Sequence, residues 1–362
     1  MGNAPKQLHD AGQSLWLDYI TREIVENGTL KRYIDELSLT GLTSNPTIFD
    51  KAISQGDAYD EQISELTERG LSPEDIFFAV AIRDLQAATD LFAPVHERTD
   101  GVDGFVSLEV SPLLADDAPG TIEQVRRLRD EGDRDNLFIK IPGTVAGQEA
   151  IEESIHAGIP VNVTLLFSTD QYLAAAEAYM RGIERRVRED LDPAVASVAS
   201  VFISRWDVAV ADEVSDELRN RLGIAVGKHA YRAYRQLLDS DRWQQLANAG
   251  ARPQRLLFAS TGTKDPNASD VLYIEAFAAP DTINTMPDKT LLAFADHGTV
   301  GDPIPADGGD AVEVLTQFQS AGIDTDELAS RLQREGAAAF DKSWHDLLKS
   351  IESESRRLAT AG

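Results

Sequence analysis

Leu137-Phe138-Ile139-Lys140-Ile141-Pro142 is an apolar run with a single cation inside it. It reads as a strand of a barrel core, an environment that offers an ammonium nothing. Among such neighbours the group loses hydration, its pKa falls, and the neutral amine can attack a carbonyl to form a Schiff base. The ordinary account is that Lys140 sits at a strand end, its stem on apolar surface and its head in water. The company it keeps decides between the two.

Working outward, short apolar or β-branched runs recur at Ser14–Tyr19, Leu37–Leu42, Gly104–Val110, Leu137–Ile141, Pro160–Leu166, Ser197–Ser204, Arg255–Ser260 and Thr282–Thr285. Longer amphipathic stretches lie between them, among them Pro73–Phe92, opened by Ser72-Pro73-Glu74, then Thr121–Asp130 and Thr169–Arg188. Strand-then-helix repetition predicts a parallel sheet, and eight strands predict a closed (β/α)8 TIM barrel. The rival, a doubly wound open sheet, needs a glycine-rich dinucleotide turn after the first strand, and none is present. At 362 residues the chain exceeds the roughly 250 of a plain barrel, so terminal helices are expected. The expectation is one domain over residues 1–362, with the helical, charged residues 306–361 packed on the outside. No internal repeat or persuasive linker divides it.

A hydrophobic content of 42% is ample for a large core. Lys and Arg number 34 against 61 Asp and Glu, a net charge of −27 that argues against nucleic acid as a partner. A small phosphorylated substrate stays open, since one or two local cations suffice. The acidity suits a salty cytoplasm, but a mesophile can show it too. No run is long enough for a membrane span, and Met1-Gly2-Asn3-Ala4-Pro5-Lys6 lacks the layout of a signal peptide, so a cytoplasmic protein is expected. With no cysteine there is neither a disulfide nor a thiol nucleophile.

In a parallel barrel the C-terminal strand ends share one face. Asp18, Asn45, Glu109, Lys140, Asn162, Thr164, Ser204 and Ser260 all fall at or just beyond such ends. Each alone has an everyday explanation: a helix cap for Asp18, a solvated strand end for Glu109, a turn for Asn162. Together they match carbonyl chemistry through an imine. An amine attacks a ketone, an acid protonates the departing hydroxyl through water, and a second carboxylate takes a hydroxyl proton as the adjacent C–C bond breaks. The six histidines, at 9, 96, 156, 229, 297 and 345, show no paired metal spacing, so no metal is expected. Gly143-Thr144-Val145-Ala146-Gly147-Gln148 lacks the Lys and Ser/Thr of a nucleotide loop and reads as the start of the next helix. The Asn-X-Ser/Thr triplets at 27, 162 and 267 carry no weight without a secretory signal.

The ordered motifs Leu15-Trp16-Leu17-Asp18, Gly41-Leu42-Thr43-Ser44-Asn45-Pro46-Thr47-Ile48-Phe49, Val106-Ser107-Leu108-Glu109-Val110-Ser111-Pro112, Ile139-Lys140-Ile141-Pro142-Gly143-Thr144 and Val161-Asn162-Val163-Thr164-Leu165-Leu166-Phe167-Ser168 resemble transaldolase, in the branch typical of actinobacteria. The resemblance continues through Ser200-Val201-Phe202-Ile203-Ser204-Arg205-Trp206-Asp207, Ala259-Ser260-Thr261-Gly262-Thr263-Lys264 and Thr282-Ile283-Asn284-Thr285-Met286-Pro287. It implies a class I transferase of the pentose phosphate pathway that needs no metal or other cofactor. Such enzymes move a dihydroxyacetone unit, taking sedoheptulose 7-phosphate and glyceraldehyde 3-phosphate to erythrose 4-phosphate and fructose 6-phosphate. It also implies sugar-phosphate partners, with neither nucleic acid nor membrane, and a monomer or homodimer in the cytoplasm.

By the same resemblance Lys140 is the Schiff-base nucleophile, Asp18 the acid/base for C–C cleavage, and Glu109 with Thr164 the pair that activates water. Asn45 and Asn162 hold substrate hydroxyls. Phosphate falls to Ser204, Arg205, Ser260 and Lys264, where the better-known branch spaces its arginines differently. The alternatives are a fructose 6-phosphate aldolase-type lyase and a noncatalytic sugar-phosphate-binding barrel.

Overall fold

The computed structural model describes residues 3–361. Eight parallel strands close a barrel in sequence order: β1 Gln13–Asp18, β2 Leu39–Thr43, β3 Val106–Glu109, β4 Leu137–Pro142, β5 Val161–Leu166, β6 Ser197–Phe202, β7 Gln254–Ala259 and β8 Thr282–Met286. The (β/α)8 expectation holds, and the helix Thr169–Arg188 has the predicted bounds.

Other bounds move for local reasons. The second strand starts at Leu39 because Leu37 still bonds to Tyr33 of the preceding helix and Ser38 takes φ 54° to leave it. The helix from Pro73 runs on to Arg98 through Pro94 rather than stopping at Phe92. Ser204 is not a strand residue: β6 ends at Phe202, and Ser204 opens the helix Ser204–Val210. Its backbone N–H nevertheless bonds Ser260 O at 3.0 Å, continuing the ladder past the strand end.

Alternation sorts the strand side chains. Leu15, Leu17, Val106, Leu108, Ile139, Ile141, Val161 and Val163 belong to the core shared with the outer helices. Trp16, Phe105, Phe138, Val198, Leu257 and Ile283 form a second cluster in the barrel interior. That period of two puts Lys140, two residues after Phe138, on the inner wall. Trp16 fits only because residue 41 is glycine, since a Cβ there would lie 2.4 Å from the indole.

The C-terminal segment forms helices Ala311–Ser320 and Thr325–Ala361. The second, expected only on the outside, also reaches the barrel mouth. Gln333 Nε2 donates to Leu165 O at 2.9 Å, near the end of β5, and to Gly143 O at 3.2 Å, just past the end of β4. Further along, Thr47 bonds Ser343 at 3.0 Å, Ser350 donates to Asp50 at 2.6 Å, and Thr67 donates to Ser355 at 2.9 Å. Trp344 anchors the middle against Phe77 and Phe78, with ring centroids 5.0 and 5.6 Å apart. Such aromatic pairs contribute about 0.5–1.5 kcal/mol each beyond the area they bury. Among the described residues no helix is long and apolar enough to cross a membrane.

Candidate active site

A cleft of about 1390 Å³ opens at the C-terminal mouth, and Asp18, Asn45, Lys140, Arg205, Lys264 and Phe340 are among the residues lining it. Lys140 comes from β4 and Glu109 from β3, paired Cα to Cα in register. Their side chains are 8% and 9% exposed, so the lysine does not snorkel into bulk water. Nζ lies 3.6 Å from Glu109 Oε2, outside hydrogen-bond range but within strong Coulomb range. Its one hydrogen bond among the described residues is a long 3.4 Å contact to Ser44 O, a weak tether.

The two carboxylates sit in different surroundings. Burial drives Glu109 above the ordinary carboxylate range; Lys140 opposes that shift and the negative charge of Asp18 adds to it. Glu109 Oε2 and Thr164 Oγ1 are both buried without a hydrogen-bond partner among the described residues. Such orphaned polar atoms are costly and suit a site where water or substrate binds. Asp18, at the end of β1, faces the cleft instead. Its Oδ1 accepts from Thr43 Oγ1 at 3.1 Å and Asn45 Nδ2 at 3.3 Å, which leaves Oδ2 for an incoming hydroxyl.

Asn45 takes its orientation from the helix it starts. It caps Pro46–Gln55, its Oδ1 accepting the Ile48 N–H at 3.3 Å, so its amide NH2 turns toward Asp18. Asn162 lies in register with Lys140 but fully buried beneath the cleft. It donates to Ser107 Oγ at 3.0 Å and accepts from Ser200 Oγ at 2.8 Å, so its first duty is to brace the inner wall.

On the facing side Ser204 and Ser260 share a hydrogen bond of 2.9 Å. Ser260 takes φ 56°, a left-handed turn that carries the chain from β7 toward Lys264. Arg205 is half-buried with its guanidinium 5.4 Å from the Phe202 ring centroid. Desolvation alone pulls it below the usual arginine range. Lys264 is also pulled down, by burial first and then by Lys289, with Asp18 opposing and Arg205 adding. Neither Arg205 nor Lys264 has a carboxylate within ion-pair distance among the described residues, although the chain carries a net charge of −27. Two cations without a carboxylate partner among the described residues, in so acidic a protein, make a wall that suits an anion.

All ten candidate residues therefore gather at one end of the barrel. Sequence reasoning missed Thr43, which supports Asp18, and Ser107 and Ser200, which hold Asn162; inward alternation and their place inside the quoted motifs could have found them. It also missed Phe340, whose ring centroid is 5.8 Å from Lys140 Nζ, and no local signal marks that residue.

A profile of the family described as transaldolase/fructose-6-phosphate aldolase matches residues 15–351. The chain is 44% identical to a transaldolase of Thermobifida fusca, over 98% of this chain and 99% of that one. It is 42% identical to transaldolase 2 of Streptomyces coelicolor, over 99% of both chains. With a transaldolase of Mycobacterium bovis it shares 44% identity over 94% of both.

Proposed function

The chain belongs to the transaldolase/fructose-6-phosphate aldolase family, and from that premise we propose that it transfers a dihydroxyacetone unit between sugar phosphates through a Schiff base on Lys140. The donor and acceptor pair is sedoheptulose 7-phosphate with glyceraldehyde 3-phosphate, giving erythrose 4-phosphate and fructose 6-phosphate in the pentose phosphate pathway. One observation carries the reading: a nearly buried amine on the inner wall, 3.6 Å from one carboxylate, in a cleft lined by a second.

Lys140 Nζ attacks the ketone carbon of the bound ketose. The carbinolamine then loses its hydroxyl as water, protonated from Glu109 through a water held between Glu109 Oε2 and Thr164 Oγ1. Burial suits Glu109 to this step by favouring its protonated form. Asp18, held by Thr43 and Asn45, takes the proton of the hydroxyl on the far carbon of the scissile bond as that bond breaks and that carbon becomes the aldehyde. The aldehyde leaves, and the enamine kept on Lys140 attacks the next aldehyde as Asp18 returns its proton. Asn45 and Asn162 orient the sugar hydroxyls, while Arg205 and Lys264, with Ser204 and Ser260, hold the phosphate. One copy of the chain supplies every group, so the scheme serves a monomer or a homodimer alike, and its place is the cytoplasm.

Borohydride reduction with fructose 6-phosphate tests the first step: the adduct mass should appear on the peptide containing Lys140 and vanish in Lys140→Ala. Adding erythrose 4-phosphate to fructose 6-phosphate should release glyceraldehyde 3-phosphate, whereas fructose 6-phosphate alone should give almost no free dihydroxyacetone. Abundant dihydroxyacetone without acceptor would make the enzyme an aldolase-type lyase. Absence of the adduct would leave a binding barrel.

A further inference from the structure

A transferase of this kind has a water problem that the strands do not solve. The enamine must wait on Lys140 for an aldehyde. If its carbon takes a proton from solvent it becomes an iminium. Water then adds to the C=N carbon, the C–N bond breaks, dihydroxyacetone leaves, and the lysine returns as an amine with release of a proton. One water below Lys140 is needed for imine chemistry; bulk water above it diverts the reaction.

The cover comes from the far end of the chain. The helix Thr325–Ala361 runs over the mouth, with Leu332 and Phe340 lining the cleft. Phe340 presents its ring face to Lys140 Nζ, 5.8 Å from the centroid, within the range at which a ring attracts a cation. It is only half-buried and belongs to the rim of the interior apolar cluster, so its ring fills the cleft rather than the core. The helix is fixed there on both sides of Phe340, by Gln333 to the strand-end carbonyls and by Ser343 and Trp344 to neighbouring helices. Gly336, one turn before Phe340, lets it settle low, since a Cβ at that position would lie 3.0 Å from Leu165 and 3.3 Å from Arg205.

Resting on the Schiff-base reading above, we propose that Phe340 is a specificity-determining residue that shields the Lys140-bound enamine from bulk water and so favours transfer over hydrolytic release. It acts through access and not by touching the reacting proton, so its signature is a ratio rather than a rate.

The test compares the parent, Phe340→Ala and Phe340→Leu by two measurements: free dihydroxyacetone released from fructose 6-phosphate alone, and transfer to erythrose 4-phosphate. The ratio of release to transfer should rise about ten-fold or more in Phe340→Ala and less in Phe340→Leu, which keeps apolar bulk but not the ring. In D2O the released dihydroxyacetone should carry one solvent deuterium. Borohydride trapping on Lys140 separates the failures. No adduct in the parent defeats the Schiff-base reading itself. Adduct in parent and variants with an unchanged ratio overturns the role of Phe340, even if both rates fall, because a merely structural helix would lower both together. If Phe340→Ala does not fold, an unchanged ratio in Phe340→Leu overturns the inference equally.

Discussion

Arg205→Ala is the most discriminating perturbation of the phosphate wall. Arg205 is half-buried and has no carboxylate within ion-pair distance among the described residues, so its removal strands no buried anion and leaves no orphaned partner. The loss it causes therefore measures what it gives the ligand. A hydrogen bond to a charged group contributes about 1.5–3 kcal/mol, and a factor of ten corresponds to about 1.4 kcal/mol. The Michaelis constant for fructose 6-phosphate should accordingly rise about 10- to 150-fold. Phosphate lies away from the breaking bond and its contacts change little as the bond breaks, so kcat should hold nearly constant. Fold stability should not fall, since a desolvated and unpaired cation has gone and Lys264 loses a repelling neighbour. The assay is steady-state transfer with fructose 6-phosphate and, in parallel, with unphosphorylated fructose, for which parent and variant should agree. Equal loss on both ketoses, or an unchanged Michaelis constant for the phosphorylated one, would refute the assignment of Arg205 to phosphate.

Three further outcomes are expected. Glu109→Gln should slow imine formation by about 10²–10⁴-fold in stopped-flow measurement, with a smaller change in ketose affinity. It should also abolish a pH limb lying above the ordinary carboxylate range, because burial raises Glu109; comparable losses of affinity and rate would count against the water-activating role. Asp207 accepts from Leu222 N, Gly223 N and the Tyr273 hydroxyl, yet burial still pushes it up to about 6 from 3.8. Its folded pKa is raised, so its stabilising contribution is complete below the unfolded value and is lost as pH climbs from about 4 to about 6, on the order of 3 kcal/mol in all. Denaturant titrations should show the parent-minus-Asp207→Asn difference changing across that window and flat above it. Asn45→Ala removes both a helix cap and a support of Asp18. It should lower stability by about 1 kcal/mol and kcat by far more than that loss implies; a stability effect with intact turnover would leave Asn45 a cap alone.

The catalytic end of the barrel was legible for a simple reason. Strand alternation puts residues two apart on one wall, so Trp16 and Asp18, or Phe138 and Lys140, declare the same side without any coordinates. Turn and cap chemistry misled at the margins. Ser204 reads as the continuation of a β-rich run, but it opens a helix because Ile203 leaves the extended region. The bound at Leu37 failed similarly at Ser38. Asn162 reads as a turn residue when taken alone and as a holder of substrate hydroxyls by resemblance, yet both ends of its side chain engage serines of β3 and β6.

From the chain alone came the eight-strand order, the inward lysine, the two carboxylates and the family, because each depends on local pattern or contiguous motif. Tertiary structure alone decided what surrounds them. That Glu109 and Asp18 differ depends on how much water reaches each. That Arg205 and Lys264 have no carboxylate within ion-pair distance among the described residues depends on where every other acid went. Phe340 lies 200 residues from Lys140 in a helix whose apolar spacing looks like ordinary core; only the docking of that helix across the mouth turns one of its rings toward the amine, and no local periodicity records where a helix will dock.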